Sequence, residues 1–236
     1  MQKFNQKDSL EEFRKKMAHN NRVLSQARAA IKRAKNAGIP DKYLRINKKN
    51  FVSLLDNHYH DNVEEVANFI YDKPIELLKK EFIIIDGGDT ISRKKACYAI
   101  MFRLISCEKN GISKINSDIA NVFQELNRNF DSDGKNETVS YLKSTDLLLL
   151  MEAQISDFRT NFNTGRFYDV ILSHRDDFVK TTIISFSSPL ASNKMTEKVE
   201  NSWNDQEKFG QYFSLAGQSY LNNDDRFFKI RVKSNG

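Results

Sequence analysis

Short apolar runs that alternate with helical segments constrain the fold of this chain most strongly. The run Phe82-Ile83-Ile84-Ile85 ends at Asp-Gly-Gly, as a buried strand does when it enters a loop. Residues 147–150 and 181–186 are further runs of this kind, and segments of helical spacing lie between the runs. Such alternation favours a parallel sheet. We therefore predict an α/β fold of three layers, with helices on both faces of a parallel sheet.

The other segments are assigned from the same patterns. Helices are predicted over residues 62–70, 74–79, 96–104, 118–130, 167–174 and 205–216. Two more strands are predicted, at residues 112–116 and 226–232. Residues 131–138 are predicted to form a loop, after which Tyr141-Leu142 leads into the strand at residue 147.

Length and composition exclude several classes of protein. With 236 residues, of which 39% are hydrophobic, the chain can bury one good core. No segment approaches the roughly 18–20 apolar residues of a membrane span, so we expect a soluble, cytoplasmic protein with no membrane partner. Cys97 and Cys107 lie among apolar neighbours, which is typical of buried free thiols. No C-x-x-C pair is present, and a polar loop explains His58-x-His60 better than a metal does, so neither zinc nor another metal is predicted.

Positive charge is concentrated at the N-terminus. Residues 1–50 contain fourteen Lys and Arg against four Asp and Glu, a net charge of +10, whereas the remaining residues have 23 against 27, a net charge of −4. This asymmetry indicates nucleic acid or an acidic protein as a partner, with a solvated helix face as the alternative.

The basic segment has the pattern of an amphipathic helix. Ser9 and Glu12 have the spacing of a capping box, and Gly38 and Pro40 end the segment. Asn20-Asn21 interrupts the pattern, so two shorter helices are an alternative to one long helix. The apolar positions form a broken stripe of Leu10, Phe13, Met17, Leu24, Ala27, Ile31 and Ala34. Such a helix could dock on its own core or on a partner.

The loop after residue 85 is the predicted site, because ligands of parallel sheets bind at the carboxyl ends of strands. A phosphate-binding P-loop has the form G-x-x-x-x-G-K-[ST] between a strand and a helix. Here Gly87, followed by Gly88, stands at the first position, while Ser92, Arg93 and Lys94 stand at the last three. The match is partial and by itself carries little weight.

Collinear motifs extend this match along the chain. The sequence resembles the AAA+ helicase loaders of the DnaC/DnaI group and the related transposition helper IstB. The resemblance covers about residues 37–190 and implies a P-loop NTPase fold of the AAA+ type. Its motifs are Ala-Gly-Ile-Pro-Asp-Lys-Tyr at 37–43, the P-loop strand and helix at 75–105, Thr-Asp-Leu-Leu-Leu-Leu-Met-Glu at 145–152, the helix at 167–175, and Thr-Ile-Ile-Ser-Phe-Ser at 182–187.

The positions that would handle ATP depart from the family pattern. Arg93 replaces the phosphate-binding Lys, and Lys94 replaces the hydroxyl residue that ligates Mg²⁺. Met151 replaces the metal-associated Asp, Ser187 replaces the sensor Asn, and there is no arginine between residues 175 and 226 to act as a finger. Glu152 keeps the place of the carboxylate that polarises water. We expect no ATP hydrolysis, and either no cofactor or bound ATP or ADP without turnover.

The resemblance also implies two binding surfaces. Residues 1–36 correspond to a DnaC-like arm that binds a DnaB-type hexameric replicative helicase, and residues 37–236 to the degenerate AAA+-like domain, which would bind single-stranded DNA. The candidate helicase-binding residues are Phe13, Arg14, Met17, Arg22, Leu24, Arg28 and Ile31. The candidate DNA-binding residues, chosen as basic and aromatic side chains, are Arg128, Phe130, Arg159, Phe162 and Arg166.

The sequence thus predicts a helicase-loader-like replication factor of phage or mobile-element origin. One alternative is a decoy that inhibits a host helicase or its loader. The enzyme-class alternative is an active AAA+ ATPase with an unconventional P-loop, acting as a loader or as an IstB-like transposition helper.

Overall fold

The computed structural model describes residues 6–58, 60–107, 114–118, 137–153, 175, 180–186 and 227–234. The helices are α1 (Gln6–Asn36), α2 (Lys48–Val52), α3 (Val63–Asp72), α4 (Pro74–Leu77), α5 (Thr90–Cys107) and α6 (Glu137–Ser144), and a 3-10 turn spans Asp41–Tyr43. The strands are β1 (Phe82–Gly87), β2 (Lys114–Asp118), β3 (Leu147–Ala153), β4 (Thr181–Phe186) and β5 (Phe227–Val232).

These strands form one parallel sheet in the order β2-β3-β4-β1-β5. β1 is paired on both sides, since Phe82 lies beside Thr182 of β4 and Phe227 of β5. Every residue of β1 and β4 is buried. A strand covered on both faces has no polar side to alternate with the apolar one, which explains why these strands are continuous apolar or β-branched runs in the sequence.

Both faces of the sheet are covered. Ile83 and Ile85 share one hydrophobic core with α5, whose Ala96, Ile100 and Leu104 are fully or almost fully buried. Side chains of successive strand residues point to opposite faces, and the residues of the second face are buried too: Phe82, Ile84, Leu148, Leu150, Thr182 and Ile184. α6 joins this second face. The predicted α/β fold with helices on both faces of a parallel sheet is confirmed.

A buried arginine connects α6 to the second face. Arg175 is 1% exposed and donates to backbone oxygens of α6 and of the residues that follow it, with Nη1 3.0 Å from the Leu142 oxygen and a second bond to the Thr145 oxygen. Its Nε donates to Thr182 Oγ1 at 2.9 Å. Burial lowers the pKa of Arg175 to about 10, against the opposing attraction of Asp146. Arg175 therefore has a structural role, because it joins the C-terminal end of α6 to strand β4 inside the domain.

Helix α1 is continuous through Asn20-Asn21, so the single-helix alternative is confirmed. Its C-terminal end packs on α5, with Ala30 and Ala34 buried and Arg33 Nη2 3.4 Å from the Ile105 oxygen. Small side chains allow this close approach of two helices. Every residue from 15 to 29 is exposed, which at about 1.5 Å per residue makes a projecting arm roughly 20 Å long.

The structure differs from the predicted secondary structure around residues 137–142 and at Asp118. Tyr141-Leu142 lies inside helix α6, and the loop predicted for residues 131–138 is wrong at its end, since α6 begins at Glu137. Asp118 closes strand β2 and does not begin a helix. The remainder of that predicted helix, and the helices predicted over residues 167–174 and 205–216, lie outside the described residues.

The cysteines and histidines have no metal-binding arrangement in the part of the chain that the structure describes. No group of three potential metal ligands occurs there. Cys97 and Cys107 are free thiols, and burial raises the pKa of Cys97 to about 12, so its thiol stays protonated at neutral pH. Among the same residues, no helix combines the length and the apolar character of a membrane span.

The C-terminal end of β5 is fixed against β1 by a buried ion pair. Asp86 is fully buried and accepts two bonds of 3.0 Å from the guanidinium of Arg231. The backbone N–H of Arg231 donates to His60 Nε2 at 3.0 Å. His60 must be neutral at Nε2 to accept this bond, and burial lowers its pKa below 6.5, against the opposing carboxylates of Asp56 and Asp86.

This geometry predicts an acid-sensitive contact. Since the pKa of His60 is lower in the folded chain than in the unfolded one, the unfolded chain binds more protons. The contribution of His60 to stability is complete above pH 6.5 and is lost as the pH falls through 6.5 toward the folded pKa. In denaturant titrations across this window, His60→Gln should flatten the acid loss of stability, whereas His58→Gln, at an exposed neighbour, should not. If the unsubstituted chain and both variants lose stability equally as the pH falls, His60 is not the source of the acid sensitivity.

Candidate functional site

The candidate site lies where β1, β3 and α5 meet, at the carboxyl edge of the sheet. β1 ends at Gly87 and α5 begins at Thr90, so two residues form the connection. Ser92, Arg93 and Lys94 therefore belong to the first turns of α5. Asp89 Oδ1 accepts the backbone N–H of Ser92 at 2.7 Å, which caps this helix with the protein's own carboxylate.

The two glycines of the loop face β5. Gly87 and Gly88 have φ angles of 74° and 52°, in the left-handed region that favours glycine. A Cβ atom on Gly87 would lie 2.7 Å from both Arg231 Cγ and the Val232 oxygen, and one on Gly88 would lie 2.8 Å from the Lys233 oxygen. Close packing against the end of β5 thus accounts for both glycines without a phosphate.

The guanidinium of Arg93 fills the loop. It is 3% exposed, and its Nη1 donates to the oxygens of Gly87 at 2.9 Å and Gly88 at 2.8 Å. Nη2 donates to Thr90 Oγ1 at 3.1 Å and to Glu152 Oε2 at 2.7 Å, and Nε donates to Glu152 Oε1 at 3.1 Å. A guanidinium has five N–H donors, and these five bonds occupy all of them.

Glu152 is directed at Arg93 by an unusual backbone conformation. Its φ of 59° is in the left-handed region, which costs roughly 1–3 kcal/mol for a residue with a side chain. Its backbone N–H donates to Ser185 Oγ of β4 at 2.9 Å, and its carboxylate also accepts the Thr90 hydroxyl at 3.1 Å. The carboxylate that the sequence assigned to water is therefore held in a fork-to-fork pair with Arg93.

The other predicted nucleotide residues are distributed unevenly. Ser92 is fully buried and Lys94 is half-buried on α5. Met151 is partly buried and packs against the hydrophobic core, so the position of the metal-associated carboxylate is apolar. Ser187 lies outside the described residues.

Of the candidate binding residues, the helicase-binding set lies on α1 and the DNA-binding set lies outside the described residues. Met17, Leu24 and Ile31 are 46%, 55% and 39% exposed on α1, and Arg22 and Arg28 are exposed beside them. Phe13 and Arg14 lie in the first half of the same helix. All five DNA-binding candidates, Arg128, Phe130, Arg159, Phe162 and Arg166, lie outside the described residues.

A cavity beside the loop was not predicted from the sequence. It has a volume of about 350 Å³ and lies between the 3-10 turn, α2 and the first turns of α5. The ring of Tyr43 stacks on Tyr98 at 4.7 Å beneath it. Its lining residues are Lys42, Tyr43, Ile46, Asn50, Ser53, Leu54, Ile91 and Lys95. They come from segments some forty residues apart, which is why no local motif marks them.

Solved structures share this fold. The DnaC helicase loader matches with a TM-score of 0.55 and 14% identity, over 82% of this chain and 100% of that chain. AMPPCP-bound DnaA from Aquifex aeolicus matches with a TM-score of 0.50 and 15% identity, over 83% of this chain and 51% of that one, so the chain spans about half of that DnaA structure. No family model matches the chain, and no curated protein matches it.

These likenesses define the class of fold. The chain has the α/β fold of these solved structures, with the loop after β1 at the carboxyl edge of its parallel sheet. Among solved structures it is similar to the DnaC helicase loader over the whole of the solved chain, in agreement with the sequence motifs.

The Arg93–Glu152 pair predicts a strong effect of removing one partner. Glu152→Ala leaves a buried guanidinium without its counter-ion, and we expect it to lower the free energy of unfolding by roughly 2–4 kcal/mol. The double variant Arg93→Met/Glu152→Met should recover much of this loss, because neither charge of this pair then remains buried. Urea titration measures both changes.

A matched control is the exposed pair of Lys79 and Glu76, at 2.8 Å. Because solvent screens an exposed pair, Glu76→Ala should change stability by less than about 0.5 kcal/mol. A Glu152→Ala effect as small as this would show that the pair does not hold the loop.

Proposed function

We propose that this chain is a helicase-loader-like DNA replication factor that does not use ATP. In this proposal α1 binds a DnaB-type hexameric replicative helicase, and the AAA+-type domain binds single-stranded DNA in the cytoplasm. The observation that carries the proposal is a basic helix projecting from a domain with the fold of the DnaC helicase loader. Residues 15–36 include seven Lys and Arg and no Asp or Glu.

The filled loop supports the absence of ATP turnover. A P-loop stabilises phosphate with free backbone N–H groups and a Lys, and it ligates Mg²⁺ through a hydroxyl and a carboxylate. In this chain all donors of Arg93 are bound to protein oxygens, Lys94 has no lone pair to offer a cation at neutral pH, and Met151 has no carboxylate. An incoming phosphate would have to displace Glu152 from Arg93.

The same observation supports a second candidate, a decoy that blocks a host helicase or its loader. A loader that cannot be released by ATP hydrolysis would hold the helicase continuously. The two candidates make opposite predictions for DNA unwinding. On single strands covered by a single-strand-binding protein, a loader increases the rate at which the helicase begins unwinding, whereas a decoy decreases this rate.

Binding without nucleotide is the first expected result. The purified full chain should bind a hexameric replicative helicase in analytical ultracentrifugation without nucleotide, and saturating ATP should leave the affinity unchanged. Met17→Glu, on α1, should weaken binding by roughly tenfold or more. Ile75→Glu is the matched control, since Ile75 is 59% exposed and belongs to a different helix, α4. Equal effects of the two variants would count against the arm.

Turnover of ATP tests the enzyme alternative. We expect no hydrolysis above the blank, with or without single-stranded DNA. Hydrolysis that Arg93→Ala abolishes, in a variant whose circular dichroism is native, would overturn the proposal and establish an unconventional AAA+ ATPase.

A further inference from the structure

Helix α1 carries a seven-residue repeat that docking on its own domain does not use. Positions that alternate by three and four residues are apolar or small, with one exception, Asn20. They are Leu10, Phe13, Met17, Asn20, Leu24, Ala27, Ile31 and Ala34. The repeat runs through about three and a half heptads, and alternation by three and four is the signature of a helix that packs lengthwise along another helix.

This row of side chains, called the seam here, is open over most of its length. Leu24 is 55% exposed, Met17 is 46% exposed and Ile31 is 39% exposed. Among the seam residues whose exposure the structure describes, from Met17 to Ala34, only Ala34 is buried against the domain. Three large apolar side chains in one row on a projecting helix form an unpartnered interaction surface.

Charge decides which kind of helix fits the seam. In a pair of helices, the positions that flank the apolar row face the flanks of the partner. The flanking positions of α1 include Arg14, Lys16 and Arg28 and contain no acidic residue. A second copy of α1 would offer no attractive pair and would bring two helices together whose residues 15–36 each hold seven basic and no acidic residues. An acidic partner would gain an attractive pair at each basic flanking position.

We propose that the seam of α1 binds a single helix of a partner protein, whose own apolar heptad row is flanked by Asp and Glu. Asn20 interrupts the seam at one position, and a polar residue there favours a partner with a polar residue opposite, which fixes the register. The inference deepens the proposed function, since the partner helix would belong to the replicative helicase, but its chemistry can be tested separately.

The test uses the full chain and two synthetic peptides of about four heptads each. Both peptides carry Leu in the apolar row and one Asn; one has Glu at the flanking positions and the other has Lys. Fluorescence anisotropy should show binding of the Glu peptide, weakened by salt because the pairs are exposed, and no binding of the Lys peptide. Binding of both peptides with equal affinity would overturn the proposed charge selection.

Two pairs of variants separate the seam from its surroundings. Leu24→Asn should weaken binding of the Glu peptide by roughly tenfold, whereas Ala29→Asn, on the opposite face of α1, should change it by less than about twofold. Arg28→Glu, at a flank, should weaken binding, and Lys15→Glu, on the far side of the helix, should not. All four positions are exposed, so the variants should fold normally.

Other outcomes would overturn the proposal. If Lys15→Glu and Arg28→Glu weaken binding equally while Leu24→Asn has no effect, α1 attracts polyanions such as nucleic acid without a seam. If the chain forms a dimer that Leu24→Asn dissociates, the seam binds a second copy.

The helicase experiment distinguishes the two proposals. Helicase binding that Leu24→Asn leaves unchanged would refute the seam and leave the loader function standing. If the chain binds the Glu peptide but does not bind the replicative helicase, the seam stands and the proposed loader function is refuted.

Discussion

The ion pair between Arg93 and Glu152 holds the edge of the sheet on which the candidate site is built. Its five hydrogen bonds join the end of β1, the start of α5 and the end of β3. A buried guanidinium without a partner would cost several kcal/mol, so the loop is stable only in a conformation that satisfies it. In a nucleotide-binding site the cationic side chain at this position is available to bind a phosphate. Here the chain supplies the anion itself.

Most of the sheet could be predicted from the sequence because burial on both faces leaves a simple signature. β1 and β4 are continuous apolar or β-branched runs, and each is buried at every residue. Helix α6 was missed because its support comes from far away in the chain. Arg175 donates to the Leu142 and Thr145 oxygens near its C-terminal end, where a helix leaves carbonyls without partners. A pattern read from residues 137–144 alone cannot show hydrogen bonds from a residue about thirty positions away.

The candidate site shows the same division between local and distant information. The sequence located the loop, the glycines and Glu152, since each lies at the end of a recognisable strand. It could not predict that Arg93 and Glu152, 59 residues apart, are paired. Nor could it predict that Gly87 and Gly88 make room for β5, whose contacting residues lie more than 140 positions further along. The same sequence is compatible with a phosphate-binding loop or a tight turn, and in this structure two residues form a tight connection between β1 and α5.

Helix α5 connects this filled loop to the projecting arm. It begins at Thr90, whose hydroxyl takes part in the Arg93–Glu152 cluster, and Ile105 near its other end accepts a hydrogen bond from Arg33 of α1. Because α1 is one continuous helix, its docked end at Ala34 sets the direction of the exposed part. In a site that exchanged phosphate for solvent, α5 could transmit the change to the arm. With the guanidinium held by protein oxygens, α5 has no change at the loop to transmit, which is consistent with the proposed binding of a partner by the seam without nucleotide.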